Sequence, residues 1–142
     1  TSPWDIKYTP GGMIDVEFIT QYLQLCHAHD HPGILSPNTV TALGNMTREG
    51  LLESGEAEDL MAAARFWHRL QGLLRLCFKE TPATEGISRG LRTALSSAGG
   101  AVDFDALTAK MESTAARVGD LYEAIIGAPG RGQPLTKEIP NP

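Results

Sequence analysis

The sequence is poor in cysteine, in aromatic residues and in long apolar runs. Only 2 of its 142 residues are cysteine, and 6% are Phe, Trp or Tyr. Both cysteines, Cys26 and Cys77, fall on apolar faces of predicted helices, so we expect a reduced, cytoplasmic chain without a disulfide. No run reaches the roughly 18 apolar residues of a membrane-spanning helix. This lack, together with a net charge of −5, argues against a membrane or a nucleic acid as the partner.

Apolar residues recur instead at the spacing of amphipathic helices. We predict an all-α, up-and-down helical bundle, because loops of this length between long amphipathic helices favour antiparallel neighbours. Three long helices are expected near 13–28, 55–79 and 103–126, and two shorter ones near 37–49 and 86–97. The helix near 55–79 has the widest apolar arc, so it should lie at the centre of the bundle.

Capping residues and a glycine mark the ends of several of these helices. Ser36 followed by Pro37 predicts the start of the second helix, and Asp103 predicts the cap of the last one. Gly127 should end that last helix, and the residues beyond it have no periodicity and should be flexible. The expected organisation is a linker with the start of a motif over 1–12, a helical bundle domain over 13–127 and a tail over 128–142.

A glycine pair stands directly before the first predicted helix. Gly11 and Gly12 can adopt backbone angles closed to other residues, which lets a second backbone or a phosphate approach closely. The helix start also presents free N–H groups and the positive end of the helix dipole. Two acids follow, Asp15 and Glu17, and Asp15 falls inside the apolar arc of the helix. That arc is predicted to comprise Ile14, Phe18, Ile19, Tyr22, Leu23, Leu25 and Cys26.

Asp15 has two interpretations, and composition does not choose between them. It is an acid favoured by the helix N-terminus and hydrogen-bonded locally, or it is a carboxylate aimed at a neighbouring domain. The second interpretation uses the glycine pair to bring that domain close.

The third predicted helix carries a basic stripe opposite its apolar arc. The stripe consists of Arg65, His68, Arg69, Arg75 and Lys79. Such a stripe is usually a solvated face, but arginines four residues apart can together grip a phosphate or an acidic partner. Arg65, Arg69 and Arg75 are therefore candidates for docking a partner.

Histidines cluster where the first helix is expected to end. His27, His29 and His31 suggest a metal site, but their alternating spacing fits neither the i, i+4 ligand pair of a helix nor a zinc signature. Pro32 and Gly33 follow and oppose continuation of the helix. We expect a polar helix exit with solvated histidines, and metal binding by this cluster stays open as the alternative.

No catalytic carboxylate pair is apparent. Polymerase-type nucleotidyl transfer needs an Asp-x-Asp pair that holds two divalent metals. Asp103-Phe104-Asp105 has that spacing, but Asp103 is accounted for as a helix cap and the turn at Gly99-Gly100 stands too close. We therefore predict no catalytic residue in this chain and, apart from the open alternative at the histidine cluster, no metal ligand.

The run around the glycine pair resembles the motif of a known enzyme family. Lys7-x-x-x-Gly11-Gly12-x-x-Asp15-x-Glu17-Phe18-x-x-Gln21-Tyr22 is similar to the motif that opens the helical domain after each nucleotidyltransferase domain of the glutamine synthetase adenylyltransferases. The resemblance implies a fold like the substrate-binding domains of nucleotidyltransferases. With Asp15 in the motif, the chain looks more like the C-terminal helical domain, which belongs to the half that adds AMP.

The resemblance also implies a function for the whole enzyme. Family members transfer AMP from ATP to a tyrosine of glutamine synthetase and remove it again, which controls nitrogen assimilation. Mg²⁺ and ATP are the implied cofactors of that enzyme, and this chain alone should bind neither and be inactive. The implied partners are a nucleotidyltransferase domain joined through the linker, glutamine synthetase, and a PII signalling protein.

These implications place a candidate site on the motif. Lys7, Gly11, Gly12, Asp15 and Glu17 are expected to contact the nucleotidyltransferase domain close to its nucleotide. Two other functions stay open, namely a regulatory module whose main contact is a PII signalling protein and a free-standing helical interaction domain.

Overall fold

The computed structural model describes residues 2–127, and these residues fold into five α-helices without a strand. The helices are α1 (Met13–His27), α2 (Thr39–Arg48), α3 (Ser54–Cys77), α4 (Arg89–Ala98) and α5 (Phe104–Ile126). Two short 3-10 turns, Pro32–Ile34 and Thr84–Gly86, precede α2 and α4. The prediction of an all-α bundle with three long and two shorter helices is confirmed, while the predicted tail lies outside the described residues. None of the helices described is long and apolar enough to cross a membrane.

Helix α3 lies at the centre of the bundle, as its wide apolar arc predicts. It packs against α1, α2, α4 and α5. Its buried side chains are Ala57, Leu60, Ala63, Phe66, Trp67, Leu70 and Leu74. Each large apolar side chain among them contributes about 1.5–3 kcal/mol when fully buried. Helix α3 therefore provides the surface on which the other helices assemble.

Side-chain caps set where α2 and α5 begin. The Asp103 carboxylate accepts a hydrogen bond from the Ala106 N–H at 2.8 Å, so Asp103 caps α5 as predicted. For α2, the prediction that Ser36 is the cap is wrong. Asn38 caps α2 by accepting from the Thr41 N–H at 2.9 Å, while the Ser36 hydroxyl accepts from the Asn38 N–H at 3.1 Å. Because Ser36 is used in a turn ahead of the helix, Pro37 stays outside α2.

The buried face of α1 is rotated relative to the predicted apolar arc. Ile14 and Leu25, both predicted to lie in that arc, are 36% and 57% exposed. The buried residues are Val16, Ile19, Thr20 and Leu23. Burial of Thr20 costs little because its hydroxyl donates to the Val16 carbonyl at 2.9 Å. These residues form the buried face because α1 packs against three helices, α2, α3 and α5.

The two cysteines are free thiols with different surroundings. Cys26 is half-buried, but Cys77 is exposed, which contradicts its predicted place on the core face of the third helix. Cys77 is the last residue of α3, and its neighbour Leu76 is 85% exposed. Leu76 and Cys77, which follow the buried Leu74, thus lie outside the covered face of α3.

Candidate functional site

The N-terminal segment, residues 2–12, contributes side chains to the same core as the helices. Trp4 and Ile6 are 2% and 0% exposed. The Trp4 ring stacks on Phe104 with 5.5 Å between centroids, and its indole N–H donates to the Thr84 hydroxyl at 3.1 Å. The segment that carries the start of the motif is therefore fixed to α5 and to the turn before α4.

The glycine pair brings two backbones into close contact. Gly11 has a φ of +78°, and a Cβ added there would lie 2.1 Å from the backbone oxygen of Ala115 in α5. A Cβ added to Gly12 would lie 2.2 Å from the Ile6 carbonyl oxygen. The buried indole of Trp67 donates to the Gly11 carbonyl at 3.1 Å. Atoms of this chain thus fill the space beside both glycines.

Asp15 makes a local hydrogen bond, as expected if it is an acid stabilised at the helix N-terminus. Its Oδ2 atom accepts from the Gly11 N–H at 2.6 Å, and the side chain is half-buried. The carboxylate also lies in the first turn of α1, where the helix dipole favours a negative charge. These contacts support a structural role, and they leave a contact with a further domain as a prediction.

The N–H groups at the start of α1 are also engaged by the N-terminal segment. The Met13 N–H donates to the Ile6 carbonyl at 3.0 Å, and the Ile14 N–H donates to the Lys7 carbonyl at 3.1 Å. These two groups would otherwise be free donors at a helix start. The backbone here therefore offers less to a phosphate than the sequence suggests.

Several side chains of the motif region remain accessible, and we call four of them the motif surface: Lys7, Tyr8, Ile14 and Glu17. Tyr8 is 67% exposed and Ile14 is 36% exposed, and the Lys7 ammonium lies 5.6 Å from the Tyr8 ring centroid. Ile14 and Glu17 share a face of α1 because they are three residues apart. The backbone bond from Ile14 to Lys7 brings this face next to the N-terminal segment.

Glu17 also lines a groove between α1, α2 and α3. The groove has a volume of about 400 Å³, and Arg65 and His68 of the basic stripe line it from the side of α3. The start of α2, with its cap Asn38, closes one side. The structure thus brings one predicted acid of the motif to the same groove as one predicted docking arginine.

The basic stripe of α3 is exposed along its length. Of its three docking candidates, two line a common groove and the third does not. Arg65 and Arg69 line a second groove, between α3 and α5, with a volume of about 420 Å³. Arg75 does not line this groove, because it lies two turns further along α3. Two cations of α5, Lys110 and Arg117, line the same groove opposite the arginines.

Sequence reasoning missed the two cations of α5. They are seven residues apart and so lie on one helix face, and this spacing could have identified them as a pair from the sequence. Arg117 donates to the Asp59 carboxylate at 2.7 Å. This hydrogen bond, and secondarily the opposite charge, raises the pKa of Arg117 above its usual value. The pair holds the Arg117 guanidinium at the edge of the groove.

The histidine cluster occupies the end of α1 and the turn that follows. The His31 Nδ1 atom lies 2.9 Å from the Glu49 carboxylate, which joins this turn to the end of α2. His27 occupies the last turn of α1, and its carbonyl accepts from the His31 N–H at 2.8 Å. Across residues 2–127, no three side chains of His, Cys, Asp or Glu come together as a set of metal ligands.

Comparison with known proteins gives the class of this helical bundle. Residues 2–126 match the family model of GlnD PII-uridylyltransferase. A bifunctional glutamine synthetase adenylyltransferase/adenylyl-removing enzyme of Bradyrhizobium diazoefficiens is 44% identical over 126 residues, which is 89% of this chain and 13% of the relative. The enzymes of the same name from Rhodopseudomonas palustris and Xanthobacter autotrophicus are 44% and 38% identical, each over 87% of this chain and 12% of the relative. No solved structure matches the chain.

The bundle is a helical domain of the kind that this family model represents. The chain belongs to the glutamine synthetase adenylyltransferase family. It spans about an eighth of the length of the curated relatives that it matches.

Replacing Asp15 by alanine should destabilise the chain by about 1.5–3 kcal/mol, because it removes a hydrogen bond to a charged acceptor and leaves the buried Gly11 N–H without its partner. Asp15→Asn should cost less, because a neutral side-chain oxygen can still accept that bond. Urea denaturation followed by circular dichroism measures both values. An unchanged stability in Asp15→Ala would instead favour the interpretation that the carboxylate serves a contact with another domain.

Proposed function

We propose that this chain is the helical domain of the adenylylating half of a glutamine synthetase adenylyltransferase. In that enzyme AMP is transferred from ATP to a tyrosine of glutamine synthetase in the cytoplasm, and this helical domain acts as an accessory and regulatory element. The observation that carries the proposal is the combination of a family match over residues 2–126 with the motif surface beside the N-terminal segment. Asp15 in the motif favours the half that adds AMP.

The proposed contact of the motif surface is a nucleotidyltransferase domain joined ahead of the N-terminal segment. The motif surface combines an accessible cation, an accessible acid and two accessible apolar side chains, which is a composition suited to an interface between domains. The buried members of the motif, Gly11, Gly12 and Asp15, would then act indirectly. They hold the N-terminal segment against α5, and this fixes where Lys7 and Glu17 lie.

The chemistry of adenylylation is assigned to the nucleotidyltransferase domain. Within residues 2–127, no three or more side chains of His, Cys, Asp or Glu lie together as a set of metal ligands. Asp103, the first acid of the sequence Asp103-Phe104-Asp105, is occupied as the cap of α5. In this proposal Mg²⁺ and ATP bind to the other domain, and the helical domain orients that domain relative to glutamine synthetase.

A charge placed in the motif surface should reduce adenylylation without unfolding the chain. In the full-length enzyme that carries this helical domain, Ile14→Glu should lower the rate of AMP incorporation into glutamine synthetase at least about tenfold. A tenfold loss corresponds to an increase of about 1.4 kcal/mol in the activation free energy. The melting temperature should fall only slightly, because Ile14 is 36% exposed and a glutamate is well tolerated in the first turn of a helix.

The matched control is Leu25→Glu, which adds the same charge to the same helix. Leu25 is 57% exposed and lies about 16 Å further along α1 at 1.5 Å per residue. The control should retain normal AMP incorporation. Equal activity in the two variants would show that the motif surface does not contact the catalytic domain.

A second candidate function is a module that mainly binds a PII signalling protein. The observation that favours it is the matching family model, which carries the name of a PII-uridylyltransferase. Ile14→Glu separates the two proposals when adenylylation is measured without any PII protein. A defect seen only after adding PII protein would support the second candidate.

A further inference from the structure

The groove between α3 and α5 concentrates positive charge on a chain whose net charge is −5. Arg65 and Arg69 line it from α3, and Lys110 and Arg117 line it from α5. Asp59 is the one acid among the described residues that line it. Its volume is about 420 Å³.

Two of these cations are held in place by neighbours within the chain. The Lys110 ammonium donates to the Gly99 carbonyl at 2.6 Å and lies 5.0 Å from the centre of the Phe66 ring. Arg117 is held by its 2.7 Å hydrogen bond to Asp59. Both side chains therefore lose little freedom when an anion binds beside them.

The other two cations have no such partner. Arg65 and Arg69 are exposed and make neither a hydrogen bond nor an ion pair with any residue of the described range 2–127. They lie four residues apart, so both guanidinium groups project from one side of α3. Each can bind a carboxylate through two parallel hydrogen bonds.

The arrangement suits an extended anion better than a compact one. Lys110 and Arg117 are separated by about 10 Å along α5, at 1.5 Å per residue. A single phosphate would need donors that converge on one point. The walls of the groove are the middle turns of two long helices, where backbone N–H groups are already bonded within the helix and so cannot assist.

We propose that the α3–α5 groove docks an acidic segment of a partner protein. Arg65 and Arg69 bind its carboxylates, while Lys110 and Arg117 provide fixed positive charge on the opposite wall. Charge complementarity selects this occupant, because the groove is cationic on a chain that is acidic overall. The proposal does not depend on the proposed function of the motif surface, because that surface lies on α1 and the N-terminal segment and the groove lies between α3 and α5.

The test is a binding titration with a fluorescently labelled, glutamate-rich peptide and the 142-residue chain. Fluorescence anisotropy should show binding at about 0.1 M salt and its loss at about 1 M salt, where the screening length falls from about 10 Å to about 3 Å. The double variant Arg65→Gln/Arg69→Gln should weaken binding about tenfold, since each exposed charge pair contributes modestly. Circular dichroism melting of the variant should match that of the unchanged chain.

Arg75→Gln is the matched control, because Arg75 is exposed on the same helix but does not line the groove. It should change the affinity less than about twofold. Equal losses in the control and in the double variant would overturn the proposal, because they would show unspecific attraction. Absence of binding at low salt would also overturn it. Displacement of the peptide by inorganic phosphate, but not by chloride at the same ionic strength, would reassign the groove to a compact anion.

Discussion

Gly11→Ala should destabilise the chain by about 3–5 kcal/mol, which is a large loss for the addition of one methyl group. Two costs combine at this position. The backbone of Gly11 has a φ of +78°, which is unfavourable for alanine, and the new Cβ would lie 2.1 Å from the Ala115 oxygen. The Gly11 backbone cannot move freely, because the Trp67 indole and the Asp15 carboxylate both bond to it, and Ala115 lies within α5. The loss is a large share of the 5–15 kcal/mol by which a typical domain is stable.

Gly50→Ala provides the control for backbone conformation alone. Gly50 has a φ of +73°, nearly that of Gly11, but no atom lies within 4 Å of a Cβ added there. This substitution should cost only about 1–2 kcal/mol. Urea denaturation of both variants gives the difference, which measures the contact between the N-terminal segment and α5. Equal losses would mean that the close contact at Ala115 relaxes without cost.

Trp4→Ala should destabilise the chain by about 3–5 kcal/mol, the usual cost of removing a buried aromatic side chain. Trp4 is 2% exposed, stacks on Phe104 and donates its indole N–H to Thr84. Trp4→Phe should keep the stacking and lose mainly the hydrogen bond, at a cost of about 1 kcal/mol. Circular dichroism in a urea series measures both values without relying on tryptophan fluorescence.

Tyr8→Ala is the control for removing an aromatic residue from the N-terminal segment. Tyr8 is 67% exposed, so its loss should change the stability by less than about 0.5 kcal/mol. A similarly small effect of Trp4→Ala would show that the N-terminal segment is peripheral to the core rather than part of it.

The helices could be predicted from the sequence because their apolar periodicity is long and regular. In α5 the large buried apolar residues Leu107, Met111, Val118, Leu121 and Tyr122 recur at helical spacing inside the predicted range 103–126. Asp103 could also be identified as the cap, because a single capping residue stands directly before this apolar pattern. At α2 two capping residues, Ser36 and Asn38, compete within three positions, and local sequence alone does not decide which one starts the helix.

The candidate site was harder to predict because it depends on contacts between distant parts of the chain. The sequence marked Gly11 as a point of close approach, but only the fold shows that the backbone of Ala115 is what approaches. The bond from Trp67 to Gly11 spans 56 residues and leaves no local signal. In the same way, Arg65 and Lys110 are joined in one groove only by the packing of α3 against α5.

The anchoring of the N-terminal segment has a mechanical consequence for the arrangement of domains. Trp4 stacks on Phe104 and donates to Thr84, and Gly11 packs closely on α5, so residues 4–12 are attached to the bundle at both ends. Any pivot between this bundle and a domain attached ahead of it has to lie before Trp4. A torque applied by that domain would therefore be transmitted directly to α5, the helix that forms one wall of the cationic groove.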